Sequence, residues 1–265
     1  AAGGYSATAS LLGAPDVGQL TMTEMAEMYA RLADRTELPI FADADTGHGN
    51  TSNVARTVRA FERAGVAGLF IEDQQSPKRC GHMEGKSVVP PAEMVAKLKA
   101  ALDARVDSDL VICARTDARA VEGLDAAIER AELYREAGAD LLFVEAPRSV
   151  EELRRVCSEI AGPCLANCVE GGRTPILAAS ELEEMGFAAV AWPVSASYAV
   201  AYALREVYAA LAANGTTSAV EDRLLDFNEF NDLVGLPDLR EAEAACEAFA
   251  RRLVERHERK KREEE

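Results

Sequence analysis

Residues 38–46, LPIFADADT, begin as an apolar run and end in carboxylates. A short apolar run of this kind is typical of a strand that is buried on both faces of a parallel sheet. The pattern of an apolar run followed by polar residues returns along the chain, and we predict six strands in all. They are LPIFADADT (38–46), AGLFIEDQ (67–74), DLVICARTDA (109–118), ADLLFVEAP (139–147), PCLANCVEGG (163–172) and AAVAWPVS (188–195).

Stretches with helical spacing separate these strands. NVARTVRAFERAG (53–65) and LDAAIERAELYREAG (124–138) both place apolar residues three and four apart and end at glycine. The same reading predicts helices at 90–105, 149–162, 176–186 and 196–215. Strands that alternate with helices indicate a parallel sheet in an α/β fold.

Polar residues stand at the carboxyl ends of at least five successive strands, and this favours a barrel over a doubly wound sheet. They are Asp43 and Asp45, Glu72 and Asp73, Arg115 and Asp117, Glu145, and Asn167 with Glu170. A doubly wound sheet would concentrate its ligand at one crevice, whereas a (β/α)8 barrel collects residues from many strand ends. We therefore predict a (β/α)8 TIM-type barrel.

The strand count sets the expected domain organisation. The stretch AAGGYS (1–6) reads as the end of a seventh strand, and a closed barrel needs eight, so we expect this chain to lack an N-terminal strand and helix. We assign residues 1–215 to the barrel, as the catalytic domain. Residues 216–265 form a C-terminal helical extension with a charged helix from Leu239 to Arg262.

Composition excludes several classes of function. The 265 residues carry a formal net charge of -16, and a polyanion repels nucleic acid. No apolar run approaches the roughly 20 residues of a membrane helix. The six cysteines are scattered without a disulfide framework, which indicates a reducing cytoplasm.

The acids after the first strand suggest a metal site. Asp43 and Asp45 lie two apart, so on a strand both would point the same way, and Glu72 follows the neighbouring strand. Hard oxygen ligands of this kind favour Mg²⁺, with Mn²⁺ as a substitute. The alternative is that these acids cap a helix or form ion pairs.

A single thiol follows the acidic end of the second predicted strand. In SPKRCGH (76–82), Lys78 and Arg79 would lower the pKa of Cys80, and His82 would support it in proton transfer. The alternative is an incidental loop cysteine. Its place just beyond the carboxylates, in a loop that could close over the barrel, favours a catalytic role.

These motifs together resemble the isocitrate lyase/phosphoenolpyruvate mutase superfamily. The resemblance runs in order through LLGAPDVGQLTMTEM, ADADTGHGN, IEDQQSPKRCGHMEGK, ARTDAR, VEAP and NCVEGGRTP, over nearly the whole chain. The sequence KRCGH is similar to the signature of the carbon–carbon lyases in this superfamily. CGHMEGK, EAPRSVEEL and EGGRTP most resemble the branch that includes 2-methylisocitrate lyases, dimethylmalate lyases and petal death proteins.

The resemblance implies a role for each candidate site residue. It implies Mg²⁺ ligands at Asp43, Asp45 and Glu72, and catalytic roles for Cys80, Arg115 and Glu145, with His82 beside them. Substrate contacts are implied at Gly3, Gly4, Tyr5, Asp16 and Asn167. Gly3 stands where relatives usually have serine, so backbone N–H groups of Gly4 and Tyr5 would take over that contact.

The implied activity is Mg²⁺-dependent cleavage of a 2-hydroxy dicarboxylate of the 2-alkylmalate or 2-methylisocitrate type. Retro-aldol chemistry would yield a 2-oxo acid and a carboxylate, with Cys80 protonating the departing fragment. The alternatives are an oxaloacetate acetylhydrolase or decarboxylase, and a non-catalytic barrel on the same scaffold. The resemblance also implies a homo-oligomer, a dimer of dimers with C-terminal helices swapped between subunits.

Overall fold

A computed structural model describes residues 1–264 and confirms an α/β fold of parallel strands and helices. The strands within this range are β1 (Phe41–Asp43), β2 (Gly68–Glu72), β3 (Val111–Thr116), β4 (Leu141–Val144), β5 (Leu165–Asn167) and β6 (Ala189–Ala191). The helices of the first 200 residues are α1 (Gly4–Leu12), α2 (Met22–Ala33), α3 (Thr51–Arg63), α4 (Pro91–Ala104), α5 (Ala118–Val121), α6 (Leu124–Glu136), α7 (Val150–Glu159) and α8 (Ala179–Met185). After them come α9 (Ser195–Asn214), a 3₁₀ turn (Ser218–Arg223), α10 (Phe227–Leu233) and α11 (Leu236–Glu264).

The strands lie side by side in the order of the sequence, all parallel. Strands β1 to β4 form one sheet, and β5 pairs with β6. Single parallel bridges extend this series, from Ala2 to Ala42 at its start and from Leu142 to Cys164 between β4 and β5. Beyond β6, the Pro193 carbonyl accepts a hydrogen bond from Ser6 Oγ at 2.9 Å, which brings the two ends of the series together. A sequential parallel order of this kind is that of a β/α barrel.

Side chains alternate along each strand between two separate cores. Outward residues such as Leu69, Ile112 and Leu142 pack against the helices in the larger core. Inward residues form a second, smaller core of Cys113, Phe143 and Leu165, with Phe41 and Phe70 packed against it. Because the alternation has a period of two, the residue two positions after each inward apolar side chain also faces inward.

Local signals explain several helix starts. Thr21 and Glu24 form a capping box at the start of α2, and Asn50 with Asn53 does the same for α3. Ser149 Oγ accepts a hydrogen bond from the backbone N–H of Glu152 at 3.1 Å and so caps the start of α7.

The first residues differ from the sequence-based prediction. Within AAGGYS only Ala2 bridges to a strand, and Gly4 already begins α1. The prediction of a strand end was therefore wrong beyond Ala2. Helices α1 and α2 were not predicted: small and polar residues dilute the apolar pattern of α1, whereas α2 carries a capping box, Thr21 with Glu24, that the sequence analysis overlooked.

The chain divides into two compact units, residues 1–200 and the residues from 201 onward. The boundary falls inside α9, whereas the predicted domain boundary, which stays a prediction, lies after residue 215. Residue 265 of the predicted extension lies outside the described residues. Among helices within residues 1–264, none is both long enough and apolar enough to span a membrane.

The burial of Leu69 in the larger core allows a stability prediction. Leu69 in β2 is fully buried, whereas Leu38 is 76% exposed. Leu69→Ala should lower the free energy of unfolding by about 2–5 kcal/mol, because it leaves a cavity in the larger core. Leu38→Ala is the matched control and should change it by less than about 0.5 kcal/mol. Urea denaturation of both variants measures this, and equal effects would contradict the burial assignment.

Candidate active site

The inward strand positions bring polar side chains to one end of the barrel. On each of five strands an apolar inward residue is followed two positions later by a polar one: Phe41 by Asp43, Phe70 by Glu72, Cys113 by Arg115, Phe143 by Glu145, and Leu165 by Asn167. A cavity of about 60 Å³ lies between this polar layer, the apolar layer below and a loop above. Ten predicted site residues line it, namely Gly3, Gly4, Tyr5, Asp16, Asp43, Cys80, His82, Arg115, Glu145 and Asn167. Asp45 and Glu72 lie outside its lining.

Asp43 is fixed by backbone donors. Its Oδ2 accepts a hydrogen bond from the N–H of Gly4 at 2.7 Å, and its Oδ1 accepts one from the N–H of Asp45 at 2.8 Å. Gly4 opens α1, so the positive end of that helix faces the carboxylate. A Cβ on Gly4 would lie 2.8 Å from Asp43 Oδ2, and therefore only glycine allows this approach. The Gly4 N–H, predicted to contact substrate, is engaged by Asp43.

Lys78 places its ammonium group among the carboxylates. Its Nζ lies 2.6 Å from Asp45 Oδ1 and 2.9 Å from Asp16 Oδ1, and the lysine is 3% exposed. Burial, with the charge of Asp43 second, raises the pKa of Asp45 to about 7. Burial alone would lower the pKa of Lys78, but the carboxylates around it outweigh that effect and raise this pKa well above its ordinary value.

Arg115 connects three carboxylates in the buried layer. Its Nε lies 2.9 Å from Asp117 Oδ2 and 3.6 Å from Glu145 Oε2, and its Nη1 lies 3.1 Å from Glu72 Oε2. Burial opposes ionisation of Asp117, but the charges of Arg115 and Lys86 prevail and lower its pKa to about 2. Glu72 is fully buried, and burial raises its pKa well above the ordinary value despite Arg115.

Besides Arg115, His82 and Asn167 also contact Glu145. His82 Nε2 lies 2.9 Å from Glu145 Oε1, and Asn167 Nδ2 donates to Glu145 Oε2 at 3.2 Å. His82 Nδ1 accepts the N–H of Arg173 at 2.9 Å, so in the neutral ring the proton sits on Nε2, facing Glu145. Burial would raise the pKa of Glu145, but Arg115 and His82 together lower it. Glu145 is therefore held as a carboxylate.

The environment of Cys80 differs from the sequence-based prediction. Lys78 turns to Asp45 and Asp16, and Arg79 Nη1 donates to the carbonyl of Glu84 at 3.2 Å. The prediction that these two cations lower the pKa of Cys80 was therefore wrong: burial raises that pKa, with Glu145 acting in the same direction. A thiol that keeps its proton is suited to donating it.

The loop that carries Cys80 closes over the cavity at a glycine. A Cβ on Gly81 would lie 2.3 Å from Glu145 Cγ and 2.5 Å from Arg115 Nη2. At its base, the N–H of Gln75 donates to the Ser87 carbonyl at 2.8 Å. We call residues 75–87 the gating loop. Gly81 was not predicted as a site residue, and only its place between Cys80 and His82 signals its importance.

The donor set fits a hard divalent cation in its chemistry. Asp45 Oδ1 and both carboxylate oxygens of Glu72 are buried without a well-aligned hydrogen bond, and the ligands are all carboxylates. Across the described residues 1–264, however, no three His, Cys, Asp or Glu side chains converge in a metal-binding group. The positive charges next to these carboxylates are those of Lys78 and Arg115.

Besides Gly81, three contributors to the site were missed or misread from the sequence. Lys78 partners the carboxylates instead of the thiol, and Asp117 and Lys86 form a buried pair at 2.9 Å. Asp117 was identified as a polar strand-end residue but not as a site residue, and Lys86 ends the motif CGHMEGK without having been assigned a role.

Limited digestion with trypsin tests whether the gating loop is closed at Gly81. Trypsin must reach the side chains of Lys78 and Lys86, which are 3% and 1% exposed. Gly81→Ala should speed cleavage after both lysines about tenfold or more, because its Cβ would overlap Glu145 and Arg115 and open the loop. Glu84→Gln changes an exposed side chain of the same loop but keeps an oxygen that can accept from Arg173, so it should leave cleavage unchanged. Equal rates in the two variants would contradict this closure.

Comparison with known proteins identifies the family of this chain. A family model described as phosphoenolpyruvate phosphomutase matches residues 2–212. The chain is 50% identical to a 2,3-dimethylmalate lyase of Eubacterium barkeri over 91% of its own length and 83% of that protein. It is 42% identical to a 2-methylisocitrate lyase of Aeropyrum pernix over 93% of its own length and 79% of the relative.

A solved structure agrees with these relatives. The structure of an oxaloacetate acetylhydrolase with the inhibitor 3,3-difluorooxalacetate superimposes with a TM-score of 0.87 at 35% identity, covering 92% of this chain and 83% of the other. The predicted barrel fold and the predicted reaction class, a carbon–carbon lyase, are thereby confirmed. The chain belongs to the phosphoenolpyruvate phosphomutase family, within the PEP mutase/isocitrate lyase superfamily.

Proposed function

We propose that this protein is a Mg²⁺-dependent lyase that cleaves an alkyl-substituted 2-hydroxy dicarboxylate into a 2-oxo acid and a carboxylate. The observation that carries the proposal is one cavity lined by Cys80, Arg115 and Glu145 at the carboxyl ends of the strands. A protonated thiol, a guanidinium and a fixed carboxylate in one enclosed space are what a carbanion-forming cleavage requires.

Asp43, Asp45 and Glu72 are the residues that would hold Mg²⁺, with Mn²⁺ as a substitute. The fit rests on their all-oxygen donor set and on buried oxygens of Asp45 and Glu72 that accept no well-aligned hydrogen bond and face only the charges of Lys78 and Arg115. When bound, the ion would supply Lewis-acid polarisation of the oxygens at the substrate's hydroxyl end.

The chain's own residues account for charge and protons in the cleavage. A base, which the structure leaves unassigned, removes the hydroxyl proton, and the electron pair of the C2–C3 bond moves to the departing fragment. Arg115 faces the cavity and would stabilise the negative charge of that fragment. Cys80 would donate the Sγ proton to it: the raised pKa keeps the thiol protonated until the carbanion, a much stronger base than the thiolate, forms. The gating loop would exclude water from the carbanion.

The lower half of the cavity supports an alkyl-bearing substrate. Phe41, Phe70, Phe143 and Leu165 line it, so a methyl group gains by burial there. Arg115 is the lining arginine, and three carboxylates already surround it. A substrate with a third carboxylate would bury a charge against this apolar layer, at a high cost in free energy. We therefore favour 2,3-dimethylmalate over tricarboxylates.

The main alternative is hydrolytic cleavage of oxaloacetate. It is favoured by the similarity to the oxaloacetate acetylhydrolase structure. A non-catalytic barrel is opposed by the convergence of Cys80, Arg115 and Glu145 on one cavity.

We further propose a cytoplasmic homo-oligomer. The six cysteines are free thiols, as a reducing compartment would leave them. Within the unit that starts at residue 201, Phe227 is 83% exposed and Leu233 is 73% exposed, which supports a surface covered by another copy of the chain.

A substrate panel tests the proposed reaction. With Mg²⁺ present, we expect 2-oxo acid release from 2,3-dimethylmalate with a higher kcat/KM than from 2-methylisocitrate, isocitrate or oxaloacetate. Oxalate from oxaloacetate as the main product would favour the alternative, and no turnover of any of the four would contradict the proposed activity.

The same assay tests the proton donor. Cys80→Ser should reduce kcat about 10²–10⁴-fold, because serine is a far weaker acid than a thiol. Cys246→Ser, which changes an exposed thiol, is the matched control and should retain activity. Undiminished turnover by Cys80→Ser would remove Cys80 from the mechanism.

A further inference from the structure

Lys86 ties the gating loop to the barrel from inside the protein. Its ammonium group lies 2.9 Å from Asp117 Oδ1, and it also donates to the carbonyl oxygen of Gly81. Its side chain is 1% exposed and that of Asp117 is fully buried. One cation therefore connects the tip of the loop to a residue that directly follows β3.

Asp117 is itself held firmly. Its backbone N–H donates to Asp73 Oδ1 at 2.9 Å, and Asp73 Oδ2 accepts hydrogen bonds from Thr116 Oγ1 and Tyr134 Oη, both at 2.8 Å. All four residues are fully buried. Asp117 thus gives the loop a rigid anchor.

The same carboxylate also orients Arg115. Asp117 Oδ2 accepts from Arg115 Nε at 2.9 Å, and Asp117 Oδ1 accepts from Arg115 Nη2 at 3.2 Å while it faces Lys86. The position of the gating loop and that of the Arg115 guanidinium therefore both depend on the Asp117 carboxylate. Removing one partner of a buried pair leaves the other charge unpaired in the interior, which is costly.

We propose that Lys86 and Asp117 are positioning residues that latch the gating loop shut, holding Cys80 against the cavity in the geometry that orients Arg115. The proposal rests on the proposed function for its catalytic meaning, because a closed loop matters to the reaction through the thiol that it positions. The latch itself is a property of the fold and is measurable without turnover.

Other contacts hold the loop without reaching this anchor. Gln74 donates from Nε2 to the Arg79 carbonyl at 2.8 Å, and Lys78 pairs with Asp16 at 2.9 Å. These contacts act on the first half of the loop.

In the second half, Glu84 pairs with Arg173 at 2.8 Å and His82 Nε2 lies 2.9 Å from Glu145 Oε1. Lys86 adds the buried ion pair with Asp117 and also donates to the Gly81 carbonyl. Its loss should therefore loosen the tip and raise access to Cys80 while the base stays paired.

The test is alkylation of Cys80 by iodoacetamide in the full chain, with each peptide quantified by mass spectrometry. The exposed Cys246 serves as an internal reference in every sample. In Lys86→Met, the ratio of Cys80 to Cys246 labelling should rise about tenfold or more, because methionine keeps the bulk and loses the ion pair. Lys86→Arg retains the charge and should stay within about threefold of the wild type.

Lys99→Met is the matched control, since it removes an exposed pair with Asp103 at 2.5 Å. It should label as the wild type does. If Lys86→Met fails to fold, judged by circular dichroism, Lys86→Gln replaces it and should raise the labelling ratio by a smaller factor. An unchanged ratio in the folded variant would overturn the latch.

Steady-state kinetics separates a latch from a structural role. Lys86→Met should lower kcat on 2,3-dimethylmalate about tenfold or more with a smaller change in KM, because Cys80 acts after substrate binds. Lys86→Arg should recover most of kcat. Absence of turnover in the wild type would contradict the proposed function and leave the labelling test of the latch intact, whereas full kcat in folded Lys86→Met would overturn the latch alone.

Discussion

The active-site end of the barrel must accommodate an excess of buried negative charge. Six carboxylates with at most 6% exposure belong to one connected group: Asp16, Asp43, Asp45, Glu72, Asp117 and Glu145. Three buried cations, Lys78, Lys86 and Arg115, lie among them. Buried charges are stable only when paired, and therefore three negative charges call for protons or a further cation. Burial, with the charge of Asp43 second, raises the pKa of Asp45 to about 7, and burial also raises the pKa of Glu72, so both carboxyl groups resist ionisation here.

The gating loop belongs to this balance of charge and does not merely cover it. Two of the three cations, Lys78 and Lys86, are carried by the loop, and both are buried against carboxylates of the barrel. In this position the loop therefore places positive charge at an acidic rim. The cysteine lies between the two lysines in the chain. The same loop position thus accounts for both the neutralisation of charge and the placement of the thiol.

The strand periodicity made much of the site predictable. Apolar runs that end in polar residues identified all six strands, and the family signature identified the residues that line the cavity, such as Arg115, Glu145 and Asn167. Asp43 and Asp45 come together for another reason than the one predicted: β1 ends at Asp43, and Asp45 lies in a turn with φ of 47°. The Asp45 N–H donates to Asp43 Oδ1 within this turn, and Gly4, whose missing Cβ leaves room for both carboxylates, is a requirement that no spacing rule for strands could reveal.

What the sequence could not provide is the choice of partner for each charge. Lys78 and Arg79 stand beside Cys80 in the chain, yet their side chains reach Asp45 and the Glu84 carbonyl. The desolvation cost of the carboxylates, which is set by tertiary burial, decides where a flexible lysine goes. The Lys86–Asp117 pair spans 31 residues and depends on the fold of the loop. Neighbours in sequence were a poor guide to the electrostatics of the thiol.

We propose that a divalent cation compensates the excess negative charge of this rim. Electron paramagnetic resonance titration with Mn²⁺ measures it directly, as free and bound ions are counted separately. We expect one Mn²⁺ per chain in the wild type, an affinity at least about tenfold weaker in Asp43→Asn, and no change in Asp103→Asn, where the altered carboxylate is exposed. A wild-type protein that binds no Mn²⁺, or an Asp43→Asn variant that binds it equally well, would contradict a cation site at this rim.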